Sequence, residues 1–266
     1  MHPLDLSIII PAFNEERRLP QTLDSIGTYL KTQSLRTEIL VVDDGSSDGT
    51  VPLAASYAGQ HPNLRVLSNG KNRGKGYSVR HGMLEARGEY ALFTDADLST
   101  PIEEVGKLLE ALREQGNDVA IGSRALNRNL ILVHQSKVRE QAGILFNFFV
   151  RWIMGIELFD TQCGFKAFRR EAAHLVFGLQ RIERWGFDPE ILFIGIKRGL
   201  RITEVPVTWG HDERSRISYL RDGMQMLLEL VFVRWNALRG VYRRQPVEFI
   251  REPAVAEHGS ARHGAV

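Results

Sequence analysis

Apolar and polar residues follow two alternating periods along this chain, and the exchange between them repeats. Residues 6–10, Leu6-Ser-Ile-Ile-Ile10, form a β-branched run ended by Pro11, the pattern of a buried strand. Leu19, Leu23, Ile26 and Leu30 then recur at helical spacing behind Asn14, Glu15 and Glu16. The exchange follows three more times. Apolar runs at 38–42, 64–67 and 90–93 each lead through a turn-rich loop into a helical pattern, ending near Tyr57, near Ala86 and over 102–115. Residues 118–124 supply a fifth strand. Five strands alternating with four helices predict an α/β fold: a doubly wound, mostly parallel sheet with helices on both faces. Segments leaving the strands of such a sheet gather on one edge, where ligands bind. Residues 11–15, 43–44, 69–75 and 95–97 are therefore expected to meet in one crevice.

After Arg124 the alternation breaks. A basic loop carrying Arg128, Lys137 and Arg139 precedes an apolar helical pattern over 141–155. Helices are predicted near 171–177 and 189–197, with a strand over 201–208. A long helix over 217–238 has an apolar stripe of Leu220, Met224, Leu227, Leu228, Val231, Trp235 and Leu238, opposite Ser218, Asp222, Gln225, Glu229 and Asn236. The segments 142–158 and 224–238 are the most apolar, but each is short and interrupted by polar residues, so neither is expected to span a bilayer. They could lie in a membrane interface, or pack on each other as the core of the second half. The tail 245–266, rich in Ala, Gly, Pro and His, cannot bury much and is expected to be disordered.

Composition changes this picture little. Apolar residues make up 43% and charged residues 25%, ordinary for a globular protein. A net charge of +2 gives no reason to expect nucleic acid, although residues 197–244 are locally basic. Cys163 is the only cysteine, which rules out an internal disulfide and fits a reducing cytoplasm. The N-terminus lacks the charged start and apolar centre of a signal peptide.

The richest chemistry lies in residues 89–101, where an apolar run enters Asp95 and Asp97 and then Ser99-Thr-Pro101. In extended chain, residues i and i+2 share a face, so both carboxylates are expected to project together. Such a pair suits a hard divalent cation completing its shell with water and phosphate oxygens; standing alone, an Asp-x-Asp pair more often caps the next helix. No Gly-rich dinucleotide turn follows the first strand, and Gly74-Lys75-Gly76 lacks the P-loop spacing. Dehydrogenase and nucleoside-triphosphatase readings therefore recede, leaving a nucleotide held by acidic loops and a metal, suited to group transfer.

Four motifs in order, Pro11-Ala-Phe-Asn-Glu15, Val42-Asp-Asp-Gly-Ser-Ser-Asp-Gly-Thr50, Asn72-Arg-Gly-Lys-Gly76 and Thr94-Asp-Ala-Asp97, resemble those of family 2 (GT-A) glycosyltransferases. Asp160-Thr-Gln-Cys-Gly-Phe-Lys166, Arg184-Trp-Gly-Phe-Asp188 and Val205-Pro-Val-Thr-Trp209 further resemble the dolichyl-phosphate β-glucosyltransferase branch, which glycosylates polyprenyl phosphates from UDP-glucose. The resemblance covers about residues 6–218. It departs at Arg214-Ser215-Arg216, where the family carries Gly-Ser-Lys, and in the absence of the eukaryotic members' N-terminal membrane helix.

The resemblance implies a single GT-A domain over 1–244: a nucleotide-binding half (about 5–124) and an acceptor- or membrane-facing half (about 125–244) with amphipathic C-terminal helices. Asp44, with the backbone near Pro11 and Ala12 and with Glu15, would hold the uracil of a UDP-sugar, and Asn14 would also touch the donor. Lys75, Asp95 and Ala96 would border the rest of the donor, and Asp95 and Asp97 would ligate Mg²⁺ or Mn²⁺. Arg124 and Arg139 could clamp the acceptor phosphate, or be a solvated basic face. Asp160 and Asp188 are candidate bases or sugar-hydroxyl ligands, or structural groups. A phosphate acceptor is already a nucleophile at neutral pH, so a protein base is dispensable. Inversion at the anomeric carbon is expected, on the cytoplasmic face of a membrane to which the protein is peripheral. GDP-mannose as donor, a soluble glycan as acceptor, and a catalytically idle nucleotide-sugar binding module are the competing readings. A nucleotidyltransferase would carry a Gly-rich basic signature after the first strand, which is missing. Cys163 reads as a small packed residue.

Overall fold

A computed structural model describes residues 4–133, 136–210 and 219–243, with the side chains of 137–139 and 219–222 left aside. The first half runs β1 (Leu6–Ala12), α1 (Leu19–Lys31), β2 (Thr37–Asp43), α2 (Thr50–Gln60), β3 (Leu64–Ser68), α3 (Lys75–Glu85), β4 (Tyr90–Thr94), α4 (Val105–Arg113) and β5 (Val119–Ser123). The second runs β6 (Ile131–Val133), α5 (Lys137–Met154), β7 (Phe165–Arg169), α6 (Arg170–Leu179), α7 (Phe187–Lys197), β8 (Ile202–Pro206), β9 (Trp209–Gly210) and α8 (Tyr219–Leu238). The predicted α/β class holds.

Seven strands form one sheet in the order β3-β2-β1-β4-β7-β5-β8. Period-two alternation divides its side chains between two cores. Ile9, Leu40, Val42 and Phe93 face a core shared with α3, α6 and α7, which also takes Val150 and Met154 of α5 and Leu230 and Val233 of α8. Ile8, Ile10, Val41 and Leu92 face the layer of α1, α2 and α4. Strands β1, β2, β3 and β4 are parallel, as expected from their β-branched runs. The departure is β7, which runs antiparallel between β4 and β5. The sheet of the first half is thus completed by a strand of the second. β6 and β9 form a small parallel ribbon apart from it.

One sequence expectation is corrected, and the side that the α8 stripe faces, left open by the sequence, is shown. β4 ends at Thr94, and Asp95–Leu98 is a turn closed by the Leu98 N–H on the Asp95 carbonyl at 3.1 Å, with Leu98 at φ +46. The two aspartates are therefore presented by a turn, not by extended chain. The apolar stripe of α8 faces outward: Met224, Leu228, Val231, Trp235 and Leu238 are exposed, whereas Leu230, Val233 and Asn236 are buried. α5 repeats this, with Ile144, Leu145, Phe148 and Trp152 exposed while Val150 and Met154 join the core. Packing and outward display thus occur together on opposite faces of the same two helices. The 245–266 tail and Arg214–Arg216 lie outside the described residues.

Candidate active site

The crevice is built by loops stitched across the carboxyl ends of β1, β2 and β3. Asn14 sits in the left-handed region at φ 56, where a short polar side chain is tolerated. Its N–H donates to Ser46 Oγ at 2.9 Å, and its Oδ1 accepts the Ser47 N–H at 2.8 Å. The Glu15 N–H donates to Thr50 Oγ1 at 2.7 Å, so the β1 and β2 loops are tied together. The Asp44 N–H donates to the Ala12 carbonyl at 2.8 Å, which places Pro11, Ala12 and Asp44 side by side.

Asp44 is buried, and its carboxylate organises the third loop. It accepts from Asn69 Nδ2 at 2.9 Å, the Arg73 N–H at 2.9 Å and the Gly74 N–H at 2.8 Å. A carboxylate has about four lone-pair sites, so one remains for a donor such as a base N–H. Gly74, at φ +110, can be nothing else: a Cβ there would stand 2.5 Å from the Glu183 carbonyl oxygen. Beyond Arg73 the same loop opens on a cavity of about 620 Å³ that Lys71, Arg184 and Glu183 also line.

At the β4 end the charges alternate. Lys75, the first residue of α3, pairs with Asp95 at 2.5 Å, its ammonium 5.6 Å from the Trp185 ring. Burial alone would lower the Lys75 pKa, but Asp95, Asp188 and Asp97 outweigh it and hold the amine above its ordinary value. Asp97 accepts the Ser99 N–H at 3.0 Å. Burial, and then the charge of Asp95, push its carboxyl above the usual aspartate range. Asp95 lies against the backbone of Gly164, where any Cβ would collide with its carboxylate. Ala96 is buried and its carbonyl accepts Thr22 Oγ1 at 2.6 Å, which fixes the turn.

Sequence reasoning missed Arg18. Its guanidinium forks onto Glu15, with Nε 2.5 Å from Oε2, and stands 3.8 Å from Asp97. Glu15 is therefore engaged in orienting the Arg18 guanidinium toward the aspartate pair. The Glu15-x-x-Arg18 spacing at the start of a helix was the available signal.

The pair Asp95 and Asp97 fits a divalent cation of the Mg²⁺ or Mn²⁺ type. Two neighbouring carboxylates, one raised by burial and by the other, gain from a cation between them. Among the described residues no group of three or more His, Cys, Asp or Glu could hold a metal ion, so the remaining ligands would be water and phosphate oxygens.

Arg124 leaves the end of β5 and is committed to Asp160. Its N–H, Nε and Nη2 donate to that carboxylate at 2.9, 2.7 and 2.8 Å, with the guanidinium 5.3 Å from the Trp209 ring. Asp160 also accepts the Gln162 and Cys163 N–H groups at 3.2 Å. Burial raises its pKa, but the charge and hydrogen bonds of Arg124, and then the charge of Lys166, carry it below the ordinary value. A saturated carboxylate of that kind is no general base, so that reading of Asp160 is replaced by positioning of Arg124. Gly164, against which Asp95 lies, follows Cys163, whose N–H donates to Asp160, so Asp95 and the Asp160–Arg124 pair flank the same loop. Asp188 pairs with Lys166 in a fully buried site and its pKa is raised by burial. Arg139 belongs to α5, but its side chain lies outside the described residues. Cys163 is buried, which pushes its thiol up to about 11 and keeps it inert.

Residues 7–177 match the family model described as Glycosyl transferase family 2. The chain is 39% identical over 253 residues to a dolichyl-phosphate beta-glucosyltransferase of Drosophila melanogaster, covering 90% of this chain and 77% of that one. It is 38% identical over 250 residues to the Homo sapiens protein of the same description, again covering 90% and 77%. Among solved structures, glucosyl-3-phosphoglycerate synthase from Mycobacterium tuberculosis with Mg²⁺ and UDP superposes at a TM-score of 0.65, at 21% identity, covering 88% of this chain and 79% of that one. Mannosyl-3-phosphoglycerate synthase from Rubrobacter xylanophilus gives 0.65 at 24%, covering 95% and 78%. At those identities the structures speak for the fold alone.

Proposed function

The chain belongs to glycosyltransferase family 2, and we propose that it moves glucose from UDP-glucose to a polyprenyl phosphate of the dolichyl type, with inversion and with a divalent cation. The observation that carries this reading is the juxtaposition of the aspartate turn and Arg124 across the 160–164 loop. Lys75 pairs with Asp95, whose carboxylate lies against Gly164, and on the same loop Asp160 holds Arg124 through Nε and Nη2. The dolichyl-phosphate beta-glucosyltransferases of Drosophila and human support the choice of substrates.

In this mechanism Pro11, Ala12, Asn14 and Asp44 seat the uracil, and Asp44 takes the base N–H with its remaining lone pair. Arg18 and Lys75 face the pyrophosphate. Asp95 and Asp97 would hold the cation, which would supply Lewis-acid neutralisation of the charge on the leaving diphosphate. Arg124, held by Asp160 through Nε and Nη2, keeps Nη1 for the acceptor phosphate, with Arg139 as a second clamp. That phosphate is largely dianionic at neutral pH. One of its oxygens bonds to the anomeric carbon from the face opposite the leaving group. The bond from that carbon to the β-phosphate oxygen breaks, and its electron pair leaves on UDP. The test is transfer of radiolabelled glucose from UDP-glucose to a polyprenyl phosphate, with GDP-mannose and 3-phosphoglycerate as control donor and acceptor. Transfer is expected with the lipid and is lost in EDTA. Metal-independent transfer, or transfer only to the soluble acceptor, rejects the proposal.

We further propose one domain spanning both halves, since β7 lies inside the sheet of the first, working at the cytoplasmic membrane surface. Among the described residues no helix is long and apolar enough to cross a membrane. The outward stripes of α5 and α8 are suited to lie in the interface, beside the exposed Arg151 and Arg234, and Leu132, Val133 and Phe159 are exposed as well. Leu228→Glu with Trp235→Glu is expected to lower partitioning onto anionic vesicles about a hundredfold, since each apolar side chain withdrawn from water contributes roughly 1.5–3 kcal/mol. UDP binding is expected to stay unchanged. Unaltered flotation with the vesicles would reject this face.

A further inference from the structure

Because α8 turns its apolar stripe outward, its polar side faces the protein, and the half-buried Glu229 on that side serves none of the roles above. One oxygen of Glu229 accepts the N–H of Gly186 at 2.8 Å; the other accepts Gln225 Nε2, one turn earlier on α8, at 2.9 Å. Gly186 is buried and immediately precedes α7, so the carboxylate also sits at the positive end of that helix. A Cβ at Gly186 would collide with the Glu229 carboxylate, so the seat fits this contact closely.

The loop held in this way, 180–186, lies between α8 and the turn that carries Lys75. On the Lys75 side, the Tyr77 N–H donates to the Glu183 carbonyl at 3.0 Å, and Gln180 Nε2 donates to the Gly76 carbonyl at 2.9 Å. Arg73 pairs with Glu183 at 2.7 Å. Trp185, next to Gly186, places its ring 5.6 Å from the Lys75 ammonium, and Asp188 in the first turn of α7 adds its charge at the same lysine. A displacement of Gly186 would therefore reach Lys75 through both Trp185 and Asp188.

We propose that Glu229 is a positioning residue for the donor: it fastens α8 to the 180–186 loop and so fixes Lys75, Trp185 and Asp188 at the pyrophosphate end of the site. The inference rests on the UDP-glucose reading and adds a connection from the outward-facing helix to the donor pocket.

The full chain is compared with Glu229→Ala and Glu229→Gln, reading KM for UDP-glucose and for polyprenyl phosphate, UDP affinity by calorimetry, and melting temperature. Glu229→Ala is expected to weaken UDP-glucose by about tenfold, the scale of one charge-assisted hydrogen bond, with KM for the lipid within about twofold. Glu229→Gln keeps an oxygen for the Gly186 N–H and is expected to recover most of the loss. Donor affinity in Glu229→Ala equal to wild type overturns the inference. So does a parallel loss for both substrates with a lowered melting temperature and no recovery in Glu229→Gln, which would mark a merely structural contact. Wild-type protein that binds no UDP-sugar would instead remove the donor reading itself.

Discussion

Asp97→Ala is expected to lower turnover about a thousandfold. A bound cation supplies several kcal/mol of transition-state charge stabilisation, and each 1.36 kcal/mol is a factor of ten in rate. The fold should survive. Asp97 accepts one backbone N–H, from Ser99, and its carboxyl is raised by burial and then by Asp95, so its charge is held at a cost in the free protein. Removing it relieves that repulsion, and the melting temperature without ligand is expected to stay level or rise. The two effects separate in a pair of measurements. Single-turnover transfer from radiolabelled UDP-glucose reads the chemistry, and thermal denaturation with and without Mn²⁺ plus UDP reads the ligand. Wild type should gain stability from that combination by mass action, and Asp97→Ala should gain little. A variant that transfers glucose at the wild-type rate would show that the charge of the leaving diphosphate develops elsewhere.

What the sequence disclosed here, and what it withheld, follows from the range of each interaction. β1, β2 and β4 were legible because a buried parallel strand is nearly all apolar, and Leu6, Ile8, Ile9 and Ile10 announce one without reference to partners. Their order placed Asp44, Lys75 and the Asp95–Asp97 turn on one edge. β7 was hidden because Lys166 occupies a fully buried position in it, and an apolar pattern broken by lysine reads as a loop. Periodicity found the stripe of α8 but not the side it faces, since an amphipathic helix has the same moment turned inward or outward. Only the buried Leu230 and Val233 decide that. The pairing of Arg18 with Glu15, and of Arg124 with Asp160, depends on where loops end, which local spacing constrains weakly. Asp160 looked catalytic because a carboxylate after a helix shows its charge in sequence and not the five donors around it.

The same buried lysine leads to the largest expected effect on stability. Lys166 lies under the site with its ammonium on the Cys163 carbonyl at 2.6 Å, paired with Asp188, and 5.2 Å from the Phe93 ring. Lys166→Met should lower folding stability by about 3–5 kcal/mol, because it strands a buried carboxylate with only the more distant Lys75 to offset it. Denaturation in urea by linear extrapolation reads the loss. The pH dependence has a definite sign. Burial already raises the Asp188 pKa above its unfolded value, against the pull of Lys166 and then Lys75. Removing Lys166 raises it further. The penalty for a carboxyl with a raised folded pKa is full at pH above that value, fades as pH falls through it, and is gone below the unfolded value, where the group is neutral in both states. The deficit of Lys166→Met relative to wild type should therefore be greatest at neutral pH and shrink on acidification. Lys166→Met with Asp188→Leu should recover much of the stability, since apolar residues of similar volume often replace a buried ion pair without loss. That double variant should still transfer glucose poorly, because it removes one of the carboxylate charges that surround Lys75 at the pyrophosphate end of the site. Additive losses in the two single variants would mean that the ammonium and the carboxylate act independently.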